Sequence, residues 1–173
     1  MPCAPVCARE LITRDPGVSP GVVLSSEEIH RGIFPSQIKK GGLLKSSVVT
    51  ASHLWNGQLS VWRLGTVVSL ELDALIEVLE PLMIRANGER FSQLRPASVS
   101  VIRNYQVDDE RAFSVLDECD LDDKGNKHRA HAHVAICEKL KAKIASVEEE
   151  KFNALQEWLK LVLEQRTPVW QRA

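Results

Sequence analysis

The chain has 173 residues, a length that suits one domain with one hydrophobic core. Hydrophobic residues make up 44% and charged residues 26% of the chain, which is typical of a folded globular protein and excludes the disordered and fibrous classes. The formal net charge of -1 provides no overall field that could hold a polyanion, so nucleic acid is not an expected partner.

The N-terminal residues and the cysteines predict a cytoplasmic protein. Met1–Ala8 lacks the basic start and apolar run of a secretory signal. A membrane span needs about 18 consecutive apolar residues, and no stretch of the sequence has them. The cysteines are dispersed along a chain large enough to form its own core, which favours reduced thiols over a disulfide framework. They are Cys3, Cys7, Cys119 and Cys137.

The first part of the chain predicts little regular structure. Residues 1–21 are rich in proline and glycine and form an irregular N-terminal arm in this interpretation. Residues 25–42 contain a polar turn signal, three glycines and Pro35, so this stretch is expected to be mainly loops. The domain proper is predicted to span 22–165, and residues 166–173 to form a C-terminal tail.

The middle of the chain predicts one strand and one helix. Gln58–Leu64 alternates in polarity after the Asn56-Gly57 turn signal, which indicates a strand. From Ser69 onward, apolar residues recur with the spacing of a helical stripe, and Asn87-Gly88 is expected to end that helix. Pro81 should kink or restart it, because proline lacks the backbone donor of an interior helical residue.

The second half predicts a hairpin followed by helices. Strands are expected at Ala97–Arg103, with Val99 and Val101 on one face, at Ala112–Glu118 and at Ala130–Cys137; the last two are joined by a long acidic connection. Apolar residues at helical spacing from Glu138 to about Gln165 predict one or two helices with a break near Ser146. The expected fold is α+β, a mainly antiparallel sheet of about four or five strands with two or three helices on one face.

The best candidate for chemistry is the pair His131 and His133. In a strand, side chains two residues apart lie on the same face, so both imidazoles converge while Ala132 and Val134 point to the other face. Two imidazoles can bind a metal ion or act as an acid and a base. Zinc needs three or four ligands, and the spacing defines only two of them. The further ligands considered are Cys137, His128, Asp122 and Asp123. The other interpretation is a polar strand face without a functional role.

The segment His131-Ala-His133-Val-Ala135-Ile resembles the motif of the histidine-triad nucleotide hydrolases, in which three histidines alternate with apolar residues. Ala135 stands where the third histidine would be, and this departure removes the position that matches the nucleophile. The segment therefore does not predict membership of that family.

A wider pattern resembles a set of small uncharacterised bacterial cytosolic proteins. The resemblance covers roughly 28–63 and 129–137, implies no activity and implies only a bacterial origin. It is carried by Arg31-Gly-Ile33-Phe-Pro35, the pair Ser46-Ser47, the triplet Leu59-Ser60-Val61 and the alternating Ala-His strand that includes Val134.

Every catalytic pattern considered lacks a required residue, so we expect a small cytoplasmic accessory or interaction protein that acts with a protein partner and without a cofactor. The alternative is a histidine-assisted or metal-dependent enzyme, with zinc as the candidate metal, acting on a phosphate or nucleotide substrate. In that alternative His131 and His133 are metal ligands or the acid and base, and Arg31 neutralises phosphate charge.

Overall fold

The computed structural model describes residues 7–65, 68, 70–121, 126–144 and 150–173. Over these residues the chain has an α+β architecture built on a curled antiparallel sheet. Within the same ranges, every helix is too short or too polar to cross a membrane. The expected break near Ser146 and the tip of the acidic connection lie outside the described residues.

The strands, in chain order, are β1 Glu28–Ile33, β2 Leu59–Arg63, β3 Gln93–Ser98, β4 Gln106–Val107, β5 Glu110–Arg111, β6 Phe113–Asp117, β7 His131–Ile136 and β8 Trp170–Gln171. The α-helices are α1 Ala51–Asn56, α2 Leu72–Leu82, α3 Val99–Asn104, α4 Glu138–Lys141 and α5 Glu150–Glu164. Short 3-10 turns occupy Ala8–Leu11, Pro35–Gln37 and Ser46–Val48.

The main sheet has the strand order β6-β7-β2-β1-β3-β8, and each of its pairs is antiparallel. The expected α+β class, the antiparallel sheet and the β6-β7 hairpin are thus confirmed. The described sheet has six strands, more than the four or five expected. The additional strands are β1, near the middle, and β8, which occupies part of the predicted C-terminal tail.

Both faces of the sheet carry hydrophobic cores. The larger core packs α1, α3, α4 and α5 against the face that includes Ile29 and Val61. The smaller core packs Leu75 and Leu79 of α2 against Trp62, which points the other way from β2. Helices therefore cover both faces and not one, and α2 leaves the β6 side of its own face open.

Strand β1 lies where loops were predicted. It pairs with β3 over six residues and with β2 at Ile29 and His30. The segment Glu28–Ile33 has two adjacent polar residues and a glycine, so it shows neither an apolar run nor a clean alternation. The strand forms because it pairs with neighbouring strands on both sides, and the local sequence pattern does not predict such pairing.

The predicted strand Ala97–Arg103 is wrong, because the chain leaves the sheet at Ser98 and forms α3. Val99 is buried while Val101 is 48% exposed, so the two valines do not share a face. The real strand β3 contains Pro96, a residue that is rare inside strands paired on both sides. Because β8 pairs only with Gln93 and Leu94, no strand in the described part of the chain lies beside Pro96 on that side of β3. The missing N–H group of Pro96 therefore costs no hydrogen bond of the sheet.

The predicted helix after Ser69 is confirmed as α2, which includes Pro81 in its last turn without a break. The helix ends at Leu82, and Asn87-Gly88 forms a later turn between the paired residues Ile84 and Arg90. The expectation that this dipeptide ends the helix is therefore wrong. Gly88 has a φ of 81°, so the turn needs a residue that tolerates the left-handed region.

The N-terminal arm lies against the free edge of β6. The carboxylate of Glu10 accepts the backbone N–H of Val115 at 2.6 Å and pairs with Arg103 and Arg111. A side chain thus satisfies a donor that would otherwise face outward from an edge strand. The described part of the arm, which includes the 3-10 turn Ala8–Leu11, is anchored in the core through Glu10.

Cys7 and Cys137 form a disulfide that joins this arm to the end of β7. Their Cα atoms are 6.1 Å apart, within the range of native disulfides. The expectation of reduced thiols is therefore wrong for these two residues. Their sequence separation of 130 gave no indication of contact, since only the sheet topology brings the arm and β7 together.

Candidate functional site

A polar cavity of about 600 Å³ opens on the face of β2 and β7 that α2 leaves uncovered. Its floor includes His131 and His133 of β7 and Ser60 of β2. One wall comes from the N-terminal arm through Arg9 and Arg14, and another from Glu118, just after β6. The cavity therefore gathers residues that are far apart in the sequence.

The two histidines lie on one face of β7, as the alternation predicts, and Ala132 and Val134 belong to the opposite core. Their ring centroids are 4.8 Å apart, with an angle of 84° between the planes. Cross-strand register places Ser60 and Leu116 on either side of His133, and Trp62 beside His131. Pairing on both sides of β7 thus fixes the orientation of both rings.

His131 is only 3% exposed, and its ring lies 4.9 Å from that of Trp62. Its Nδ1 atom is buried without a hydrogen-bond partner of acceptable geometry in the described part of the chain. Burial lowers the pKa of His131 to about 4, although the nearby main chain of Asp120 and Glu118 opposes this shift. At neutral pH the ring is therefore uncharged and retains an unused polar atom.

His133 is less buried than His131, and burial lowers its pKa to about 3, with the charges of His131, His53 and Arg31 acting in the same direction. Both imidazoles are consequently neutral at pH 7. A neutral imidazole has one nitrogen that donates and one that accepts a hydrogen bond. The pair can therefore orient a ligand and exchange protons with it.

Arg31 does not line the cavity. Its guanidinium donates to the carbonyl oxygens of Ser60 at 2.6 Å and Val48 at 3.4 Å. Burial, with the charge of Arg85 as a smaller cause, lowers its pKa to about 10, so it stays charged at neutral pH. Its influence on the histidines is electrostatic, and the structure does not bring it into position to clasp a phosphate group there.

Arg9 and Arg14 are the cavity cations that sequence reasoning missed. The Nε atom of Arg9 lies 3.4 Å from Glu138, and that of Arg14 lies 3.4 Å from Glu118. Both arginine side chains are substantially exposed, so these pairs are weak and can be exchanged for a ligand. They lie in an arm without periodicity, so no sequence signal linked them to the histidines.

Glu118 supplies a carboxyl group with altered acidity. Burial raises its pKa, while the charge of Arg14 acts against that shift. Predicted as the last residue of a strand, it lies one residue beyond β6. A carboxyl group that keeps its proton more readily than usual can donate it to a substrate oxygen.

Within the described ranges, no group of three or more histidine, cysteine, aspartate or glutamate side chains is arranged to hold a metal ion. Of the further ligands considered for zinc, Cys137 is bonded to Cys7 and His128 packs edge-on against Trp62. Asp122 and Asp123 lie outside the described residues. Cys137 and His128 are therefore engaged in other contacts.

Comparison of the chain with protein-family models, curated protein sequences and solved structures gives no match. Any assignment of function therefore depends on the cavity itself.

Proposed function

We propose that this chain is a histidine-assisted enzyme that acts on a small substrate carrying a phosphate group. The observation that supports the proposal is the convergence of two neutral imidazoles and two weakly paired arginines on one polar cavity. Such convergent polar groups with altered acidity mark a default candidate active site.

Arginine is suited to the binding step, because its planar fork matches the oxygens of a phosphate group. Arg9 and Arg14 each use Nε in a long ion pair with a carboxylate. A phosphate dianion carries more charge than either carboxylate and can replace it as the partner. The binding group is then held at the arm side of the cavity, beside the histidines.

Proton transfer is assigned to His133 and Glu118. His133 as the neutral form can accept a proton from an attacking water molecule, and Glu118 can donate one to the leaving oxygen. A bound anion stabilises the imidazolium form and raises the pKa of His133 from its low value in the empty cavity. His131 orients His133 through the ring contact and offers its unused Nδ1 atom to the ligand.

The test combines binding and turnover. Calorimetry at pH 7 should show saturable binding of inorganic phosphate, and 4-nitrophenyl phosphate should be hydrolysed slowly. His133→Asn should reduce turnover by about 100-fold, the usual contribution of a general base. Arg90→Gln is the control, because Arg90 is exposed and does not line the cavity. Absence of phosphate binding, or equal effects of the two variants, would contradict the proposal.

The second candidate is the accessory protein expected from the sequence. Two adjacent apolar residues of the arm, Leu11 and Ile12, are well exposed, a feature found at protein interaction sites. In that case a tagged chain isolated from its host should carry a stoichiometric protein partner, and Leu11→Ser with Ile12→Ser should release it. Retention of phosphate hydrolysis by the isolated chain would instead favour the enzyme.

A further inference from the structure

We propose that the ligand of the cavity is amphipathic, an anionic phosphate or phosphonate group that carries a compact apolar substituent. This inference rests on the proposed function and narrows its substrate class. It comes from a second, smaller cavity beside the first and from the residues that the two share.

The second cavity has a volume of about 240 Å³ and lies between the arm and β6. Its apolar lining comes from Ile12 of the arm and Leu116 of β6, and it also includes Asp117, which is buried and paired with Arg63. Arg9 and Arg14 line this cavity as well as the polar one. The two cavities are therefore neighbouring compartments that share two arginine residues.

The sheet register places a residue of the polar cavity next to a residue of the smaller cavity. Leu116 is the cross-strand partner of His133, so an apolar residue and an imidazole lie side by side on the same face. Leu116 is buried, whereas Ile12 is 56% exposed. An apolar group placed between them would cover Ile12 and remove its surface from water, which is the favourable direction for binding.

The arm holds the arginines at this boundary from two sides. Cys7 is bonded to Cys137 two residues before Arg9, and the Glu10 carboxylate is anchored to β6 by the Val115 N–H group. A side chain added at Gly57 would lie 3.5 Å from Nη1 of Arg9, so the guanidinium lies beside Gly57, which lines the polar cavity. A ligand anion at the two arginines is consequently adjacent to both cavities, the one lined by the histidines and the one lined by Ile12 and Leu116.

His131 gives an independent sign that the polar compartment accepts a ligand. Its Nδ1 atom is buried, unpartnered among the described residues and part of a side chain that lines the cavity. An unsatisfied buried polar atom is costly, and a small rotation of the ring that brings Nδ1 to a polar ligand atom would remove that cost. The anionic end of the ligand therefore belongs on the histidine side of the arginines.

The experiment compares phenylphosphonate with methylphosphonate by calorimetry at pH 7, using the full chain with its disulfide intact. Both probes resist hydrolysis and carry the same anionic group, so their difference reports the apolar compartment. We expect phenylphosphonate to bind about tenfold more tightly, as burial of a small apolar area predicts. Ile12→Ser should remove most of that preference. Leu11→Ser should preserve it, because Leu11 is the more exposed neighbour and lines neither cavity.

The outcomes separate the two proposals. Equal affinity for both probes, with no effect of Ile12→Ser, would overturn the amphipathic ligand and leave phosphate binding intact. Failure of both phosphonates and of inorganic phosphate to bind would overturn the proposed function together with this inference. A preference for phenylphosphonate that Leu11→Ser abolishes as fully as Ile12→Ser would also overturn it, because the apolar compartment would then not be the source.

Discussion

His131 and His133 form an edge-to-face pair on one face of β7, with 4.8 Å between ring centroids, although the two rings lie in different surroundings. Both line the cavity, but His131 is 3% exposed and packs against the ring of Trp62, while His133 is less buried. Burial keeps both rings neutral at pH 7. We therefore expect the ring of His131 to position the ring of His133, and His133 to exchange protons with a ligand.

Acidification should destabilise the protein through these histidines. In the folded protein the pKa is about 4 for His131 and about 3 for His133, whereas an unfolded histidine has a pKa of about 6.5. At a pH between the folded and the unfolded pKa, the unfolded state therefore binds more protons than the folded state. Stability is thus fully present above about pH 6.5 and is lost as the pH falls towards 4. His131 alone should contribute about 3 kcal/mol to this loss, measured by urea unfolding between pH 7.5 and 4.

His131→Phe supplies the control for this prediction. Phenylalanine fills similar space beside Trp62 and has no buried polar atom, so stability at pH 7 should change by less than about 1 kcal/mol. The stability that this variant loses between pH 7.5 and 4 should be smaller than that of the wild type by the contribution of His131. An unchanged acid profile in this variant would show that the loss arises from other groups.

The disulfide between Cys7 and Cys137 should stabilise the fold strongly. It closes a sequence separation of 130, for which chain entropy predicts about 5 kcal/mol of the free energy of unfolding. Dithiothreitol should lower the unfolding midpoint of the wild type, and the double variant Cys7→Ser with Cys137→Ser should match the reduced protein. Dithiothreitol should not change the unfolding midpoint of the double variant, which serves as the control. A change in that midpoint would show that the effect of the reductant on the wild type arises from another thiol.

Arg63 should be one of the most sensitive single positions in the core. Its fully buried guanidinium binds both carboxylate oxygens of Glu27 and contacts Asp117 at 3.3 Å. Arg63→Met should cost about 3–5 kcal/mol at pH 7, because two buried carboxylates lose their cation. The loss should be smaller at pH 4.5, where the Asp117 carboxyl, whose pKa is raised by burial, takes up a proton more readily than usual.

Arg90→Met is the surface comparison for Arg63→Met. Arg90 pairs with Glu80 at 3.4 Å and is largely exposed, so its loss should cost no more than about 1 kcal/mol. Denaturant unfolding of both variants checks the difference. Similar costs for the two would contradict the assignment of Arg63 to a buried ion network.

Glu10 should protect the edge of β6. Glu10→Ala removes the acceptor of the Val115 N–H group and the carboxylate shared by Arg103 and Arg111. We expect a loss of about 3–5 kcal/mol and self-association through the opened edge. Light scattering after size exclusion measures the second effect. Glu110→Ala, which removes an exposed pair with Lys143, should remain monomeric if the wild type is.

Several elements could be predicted because local pattern and tertiary contact agree. The alternation of β2 and of β7 matches a sheet with one apolar face, and the 3.6-residue stripe of α2 matches the smaller core. The pairing of β6 with β7 followed from a turn-forming connection between two strands. For β2, β7 and α2 the signal lies within about a dozen consecutive residues.

Other elements depended on distant parts of the chain. The Val99–Asn104 segment has β-branched residues, yet it turns away from the sheet as α3 once β3 ends at Ser98. Strand β1 forms because β2 and β3 offer partners on both sides, not because of its own pattern. Secondary-structure preference is weak for such segments, and tertiary packing overrides it.

The sequence by itself determined the α+β class, the antiparallel hairpin and the shared face of His131 and His133, because strand and helix periods dictate which side chains lie together. Only the tertiary structure decided that Arg9 and Arg14 join those histidines and that Arg31 does not. It also decided the Cys7–Cys137 bond. These contacts join residues more than a hundred positions apart, and such contacts follow from the order of strands in the sheet, which no local spacing encodes.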